Sequence, residues 1–406
     1  MDNIINEPPP WATVRWVKSP PWTNLSVPNF SYDSWISNER GDITEVKDKI
    51  GLIDKNHKWE IAKKMVNLYE LIYTHNDTYL PPSLSLDNPL SRSYFKLIEI
   101  MSILKFFNNK DMKLKTAHIA EGPGGFIQAI HTLASNNKKN IVSSIAMTLK
   151  STTSQIPGWK KANTFLNKHK QVNIHYGEDG TGDVYNISNQ ASFISKTKSD
   201  INLFTADGGF DFSIDYSSQE HSIYHLLVCS SIIGLQVLTQ GGSFVLKIFD
   251  CNSQHTLNLI ILIGRCFKEW TLYKPAITRP CNSERYFVGK DFRGIIPECL
   301  AALKEVEKQS KDLKYPLFTS EIYSDDERSF FNDHINKSID RQLNYINHAI
   351  RIADNPEIWW SEWITHCINK SVLWCDTFRI MSHPLREYMR ILHTKYPSIY
   401  QKTVIN

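Results

Sequence analysis

Between Thr116 and Gly289, short apolar runs alternate with helical segments, and this alternation leaves the chain few architectures. Thr116–Ala120, Ile141–Met147, Val172–Tyr176, Ile201–Ala206 and Ser243–Phe249 read as strands buried on both faces. Helical stretches separate them, the clearest being Ser217–Thr239. Strand, helix and strand repeated at this spacing predict an α/β fold, a parallel sheet with helices on both faces. Glu269–Lys274 and Arg285–Val288 complete a mostly parallel, seven-stranded sheet.

The flanks differ in texture. The first 35 residues hold six of the 18 prolines and four of the 11 tryptophans, Trp11, Trp16, Trp22 and Trp35. Proline at that density favours extended chain, and the tryptophans suggest a strap docked on something, not a free tail. Helical periodicity follows from Trp59 to Tyr73 and again at Tyr94, Leu97, Ile98 and Met101. After Pro297 the chain turns helical. Asn355-Pro356-Glu357 is a helix start, with proline in the first turn and an acid beside it. The helix it opens carries Trp359, Trp360, Trp363 and Trp374, read as a docking face. The expected organisation is a strap and helical extension over 1–85, an α/β domain over 86–295 and a helical extension over 296–406.

Composition excludes some classes. Of 406 residues 41% are hydrophobic, enough for a sizeable core. The longest apolar stretch, Leu257–Gly264, is under half of what a membrane helix needs. MDNIINEPPPW has no basic segment leading into an apolar run, so neither a secreted nor a membrane protein is expected, and the expected location is the cytoplasm. The seven cysteines form no CxxC pair, so no disulfide framework and no metal are expected. Net charge is only +4, but Asn137–Lys170 holds seven lysines and no acid, a field suited to a polyanion or simply to a solvated face. Arg379, Arg386, Arg390, Lys395 and Lys402 form a second basic stretch, with Glu387 among them.

The candidate chemistry gathers at the carboxyl ends of the strands. Glu121-Gly122-Pro123-Gly124-Gly125-Phe126 follows a strand and opens a helix, where free amides can hold a ligand. The spacing is not GxGxxG, which disfavours a dinucleotide oxidoreductase and leaves a nucleotide-like ligand or a plain tight turn. Asp207 ends one strand, and Lys247 lies near the end of the next. There a lysine is costly unless paired or used. Lys96, off its helix's apolar stripe, and Glu284, at a strand start, would be unremarkable alone.

Taken in order, Ser91-Arg92-Ser93-Tyr94-Phe95-Lys96-Leu97, the Gly-Pro-Gly-Gly-Phe turn, Ala206-Asp207-Gly208, Leu246-Lys247-Ile248-Phe249 and Asn282-Ser283-Glu284 resemble the FtsJ-type RNA 2′-O-methyltransferases. Met147-Thr148-Leu149-Lys150 and Tyr176–Asp183 are similar to segments of the cap-specific mRNA branch. That family includes proteins of large cytoplasmic DNA viruses, whose factories or virions would then be the location, and the Asn/Lys/Ile-rich texture suits an AT-rich genome.

The resemblance implies a Rossmann-like S-adenosylmethionine-dependent fold and a catalytic tetrad of Lys96, Asp207, Lys247 and Glu284. S-adenosyl-L-methionine would be held by Glu121, Gly122, Pro123, Gly124, Gly125, Phe126, Asp183 and Asp207, with Asp183 facing the adenine amino group. His118 stands where the family has an acid, and Glu121 could supply the carboxylate toward the methionine amine. The implied partner is RNA, the capped 5′ end of mRNA, and the strap and the Trp-rich helix are candidate surfaces for the cap or for a protein. Methylation of internal ribosomal or transfer RNA, or a silent RNA-binding scaffold, are the competing readings.

Overall fold

The computed structural model describes every residue except 1, 24, 25, 37, 39, 54–57, 76, 78, 109–112, 152–157, 198, 210–218, 319 and 397–406. The N-terminal part holds α1 (Asp2–Ile5), β1 (Ser31–Asp33), α2 (Gly41–Ile53) and α3 (Lys58–Met65). α4 (Ser93–Leu104) leads into β2 (Leu114–Ile119), α5 (Gly125–Asn136), β3 (Ile141–Met147), α6 (Asn163–Lys168) and β4 (Val172–Ile174). α7 (Ile187–Thr197), β5 (Ile201–Ala206), α8 (Gln219–Val237), β6 (Leu238–Ile248) and α9 (Gln254–Gly264) follow. β7 (Phe267–Tyr273) and β8 (Arg285–Phe292) close the sheet. Beyond it lie α10 (Pro297–Lys311), β9 (Tyr315–Leu317), α11 (Asp325–Asp354), α12 (Ile364–Phe378) and α13 (Leu385–Lys395).

The seven-stranded sheet has the order β4-β3-β2-β5-β6-β8-β7. Its first five strands are parallel, and β8 runs antiparallel between β6 and β7. Strands covered on both faces need apolar side chains at successive positions, and β5 shows this, with Ile201, Leu203, Phe204 and Ala206 all buried.

Several details depart from the sequence reading, among them the bounds of β2, β4 and β7, which differ by one or two residues. The helix from Trp59 stops at Met65 because Asn67 turns its side chain onto the backbone, accepting from Tyr69 N at 3.2 Å. Its amide also donates to Glu70 at 2.9 Å and to Ile277 O at 3.2 Å, so the chain leaves as a turn. β6 begins five residues earlier than expected, at Leu238, and β8 runs on to Phe292. β1 and β9 pair as a separate two-stranded sheet that no periodicity announces. The start of the expected Ser217–Thr239 helix lies outside the described residues.

The strap is docked. Val17 exchanges backbone hydrogen bonds with Trp270 of β7 (2.8 and 3.1 Å), extending the sheet edge, and Trp22 Nε1 donates to Leu262 O at 3.0 Å. The Trp-rich helix is a docking face too: Trp359, Trp363 and Trp374 are buried. Burying 150–250 Å² apiece represents roughly 4–6 kcal/mol of gross hydrophobic gain for each. Residues from α2, α3, α11, α12 and α13 share one apolar core with α4, so both flanks cover the helix that carries Lys96.

Glu99 locks that layer. Buried on α4, it accepts from Tyr273 Oη, from Ala276 N at 2.9 Å and from Trp374 Nε1 at 2.7 Å. No cation is among these donors, and burial outweighs their hydrogen bonds, raising its carboxyl to about 7. A folded-state value above the unfolded one means that stability is full below about pH 4.5 and is lost as pH rises through 7. Relative to Glu99→Gln, the wild type is therefore expected to lose up to about 3 kcal/mol across that window. Urea midpoints measured from pH 4.5 to 8 test this; parallel profiles would show Glu99 to be ionised at no cost.

Candidate functional site

Sheet geometry sets the site. β5 ends at Ala206, which pairs with Leu246, so Asp207 emerges beside Lys247. Lys247 lies directly opposite Tyr286 across the antiparallel β6–β8 ladder, which puts both side chains on one face. Glu284, two residues before Tyr286, leads into β8 on that same side. Lys96 reaches in from α4. This helix is buried on nearly all sides, so the lysine faces the site and not solvent.

The four predicted residues meet. Lys96 Nζ lies 2.5 Å from Glu284 Oε1, and Lys247 Nζ lies 3.5 Å from Asp207 Oδ1. Their side chains are only 11–13% exposed. Tyr286 joins the two pairs: its hydroxyl donates to Asp207 Oδ1 at 2.8 Å and lies 3.2 Å from Glu284 Oε1. Two ammonium groups balance two carboxylates, so the cluster is neutral despite its burial. Burial works against Glu284 ionising, but the charges of Lys96 and Lys247, the Lys96 hydrogen bond and the charge of Lys274 outweigh it and hold the carboxyl below its ordinary value. Burial, then the two carboxylates, push the Tyr286 hydroxyl far up, so it remains a proton donor.

Sequence reasoning missed Tyr286 and Lys274. Tyr286 carried a signal, two residues past Glu284 in a strand and therefore on its face. Lys274, half-buried, donates to the carbonyls of Asn282 at 2.5 Å and Glu284 at 2.9 Å and so anchors the turn that presents Glu284. Nothing local in the sequence pointed to it.

The glycine turn sits beside this cluster. Gly124, with φ of +104°, precedes α5, and no side chain caps the helix, which leaves its first amides open to a ligand. A Cβ on Gly125 would lie 2.1 Å from Ser91 Oγ and 2.3 Å from Ser93 Oγ. Gly125 therefore serves the close packing of the Ser91–Lys96 segment against the turn. Phe126 is buried, 5.8 Å from the Tyr286 ring.

Glu121 is buried at the end of β2, one oxygen accepting from Thr205 Oγ1. Its Oε2 lies 3.1 Å from His118 Nδ1, but that nitrogen is engaged by Thr205 Oγ1 at 2.7 Å, which leaves Oε2 without a hydrogen bond. Burial raises the Glu121 carboxyl, against the opposing pull of His118. His118 itself is inside the sheet, its Nε2 2.8 Å from Thr116 Oγ1. Asp183 is half-buried at the end of a loop packed on the Thr148–Lys150 segment that follows β3, one oxygen accepting from Tyr185 N at 2.8 Å.

Of the lysine-rich segment, Lys138, Lys150, Lys160, Lys161, Lys168 and Lys170 are exposed, and residues 152–157 lie outside the described part. Trp159 packs against Gly124, so the segment borders the glycine turn. In the second basic stretch Arg379, Arg386, Arg390 and Lys395 are exposed; Lys402 lies outside the described residues. No helix among the described residues is long and apolar enough to cross a membrane.

Residues 89–292, which contain every site residue above, match the FtsJ-like methyltransferase family. The chain is 36% identical over 138 residues to the cap-specific mRNA (nucleoside-2'-O-)-methyltransferase 1 of Dictyostelium discoideum, covering 32% of this chain and 18% of that one. It is 30% identical over 211 residues to the cap-specific mRNA (nucleoside-2'-O-)-methyltransferase 2 of Danio rerio, covering 50% and 28%. Against “Probable methyltransferase EP424R” of African swine fever virus it is 29% identical over 216 residues, covering 50% and 49%. The chain thus spans less than half the length of each of these relatives.

Proposed function

Because the chain belongs to the FtsJ-like methyltransferase family, we propose that it transfers a methyl group from S-adenosylmethionine to a ribose 2′-hydroxyl near the 5′ cap of mRNA. The observation that carries this reading is the neutral, nearly buried Lys96–Glu284 and Lys247–Asp207 cluster joined by Tyr286 at the carboxyl edge of the sheet. The names of the relatives support the substrate.

The residues fit the cofactor. Glu121 Oε2, buried and without a hydrogen bond, suits the amine of its methionine end, and the open amides of α5 suit the carboxylate. Asp183 would accept from the adenine amino group. When bound, the cofactor supplies an electrophilic sulfonium methyl. The chain's own task is to align the ribose hydroxyl with it and to ease the loss of its proton. Lys247 Nζ is the group assigned to the 2′-oxygen, where it takes the proton or stabilises the developing charge. Asp207 fixes that lysine, Tyr286 fixes Asp207, and Lys96 with Glu284 closes the opposite wall. The exposed lysines of 138–170 offer phosphate contacts beside the glycine turn.

The test is methyl transfer from labelled S-adenosylmethionine to three matched RNAs: 7-methylguanosine-capped, capped without that methyl, and uncapped. Label on capped RNA alone, mapped to a 2′-oxygen near the 5′ end, is expected. Equal label on uncapped RNA would replace the cap reading by internal-RNA methylation. RNA binding without cofactor binding would make the protein a scaffold.

A further inference from the structure

We propose that His225, Cys229 and Glu307 form a binding site for a divalent metal of zinc's chemistry, between α8 and α10 and separate from the tetrad. His225 and Cys229 stand four residues apart on α8, so one helix face presents both. Glu307 comes from α10. A ring nitrogen, the thiol sulfur and a carboxylate oxygen lie within 4.8 Å of one another. Cys229 Sγ is 3.3 Å from Glu307 Oε1. Zinc–sulfur and zinc–oxygen bonds of about 2.3 and 2.1 Å at a tetrahedral angle place the two ligand atoms roughly 3.6 Å apart.

Two further observations point to a cation here. His225 Nε2 is buried with no hydrogen-bond partner, while stacking on Tyr185, with ring centroids 4.7 Å apart, fixes the imidazole. Glu307 is 4% exposed, and its hydrogen-bond partners are neutral: the Gln190 amide at 2.6 Å and the Cys229 thiol. A buried carboxylate without a direct cationic partner is costly; Lys311, four residues on along α10, acts on His225 and Cys229 by its charge but forms no ion pair with Glu307 among the described residues. A divalent cation held by thiolate, carboxylate and neutral imidazole cancels the charge and uses the idle nitrogen. The Gln190 amide then orients the carboxylate from outside the ligand set, as partners of metal ligands do. No CxxC spacing announces this site. Here the spacing is His-x₃-Cys on one helix, and the third donor lies 78 residues from Cys229. Occupied, the site would pin α10 to α8.

Chelator-stripped protein titrated with cobalt(II) is expected to show the intense near-ultraviolet band of a cobalt–thiolate bond. The band is expected to vanish in Cys229→Ser and to persist in Cys251→Ser. At free zinc one hundred times Kd, the folded-to-unfolded ratio should rise about a hundredfold for the wild type and stay unchanged for His225→Gln and Glu307→Gln, variants that serve if Cys229→Ser does not fold. Absence of the band, its persistence in Cys229→Ser, or equal stabilisation of both variants by zinc would overturn the proposal.

Discussion

Lys247→Ala is expected to reduce methyl transfer by on the order of 10²–10⁴-fold while leaving S-adenosylmethionine affinity within a few-fold of wild type. The substitution removes the only lysine nitrogen paired with Asp207 among the described residues, but it touches neither the α5 amides nor Glu121. Lys247→Arg is expected to be nearly as inactive. A guanidinium is planar, spreads its charge over three nitrogens and is not deprotonated at neutral pH, so it cannot replace a compact ammonium that takes a proton or faces a single oxygen. Rates come from single-turnover transfer to capped RNA, affinity from equilibrium titration of the cofactor, and melting curves establish that the variants fold. Parallel loss of affinity and rate would show that Lys247 builds the cofactor site. Retained activity would move proton handling elsewhere in the cluster.

The sheet was readable because its chemistry is local. Strands buried on both faces need apolar runs, as in β5, and both β5 and the half-covered β3 coincide with the segments that announced them. The four charged residues were also readable, although Lys96 and Glu284 looked ordinary until the ordered motifs placed them with Asp207 and Lys247. What stayed hidden depends on contacts between distant segments. Lys274 matters because the carbonyls of Asn282 and Glu284 bend back to it. β1 and β9 are three residues each and exist as strands only through one another. His118 looked like a substitution at the cofactor contact. In the fold it is a buried link between Thr116 and Thr205, beside the Glu121 carboxylate that faces the proposed methionine end. A reading by position alone could not separate contact from support.

The Lys96–Glu284 pair allows folding and catalysis to be tested apart. Glu284, held below its ordinary 4.5 by the Lys96 and Lys247 charges against the opposing effect of burial, contributes stability that is present above pH 4.5 and is lost as pH falls through its lowered folded-state value. Much of that rests on Lys96, at 2.5 Å. Lys96→Met leaves the carboxylate buried with Lys247 and Lys274 as its remaining cations, and a loss of roughly 3–5 kcal/mol at neutral pH is expected. The gap from wild type should narrow on acidification, since a protonated Glu284 needs no partner. Adding Glu284→Gln removes the carboxylate that has lost its hydrogen-bonded partner and is expected to restore most of the stability, measured as urea midpoints at pH 7. It should restore no methyl transfer, because a glutamine amide cannot replace the charge that orders the cluster around Lys247. Recovery of stability without activity would assign the pair's charge to chemistry and its neutrality to folding. A double variant no more stable than Lys96→Met would mean that packing of the lysine stem, and not charge balance, holds α4 against β8.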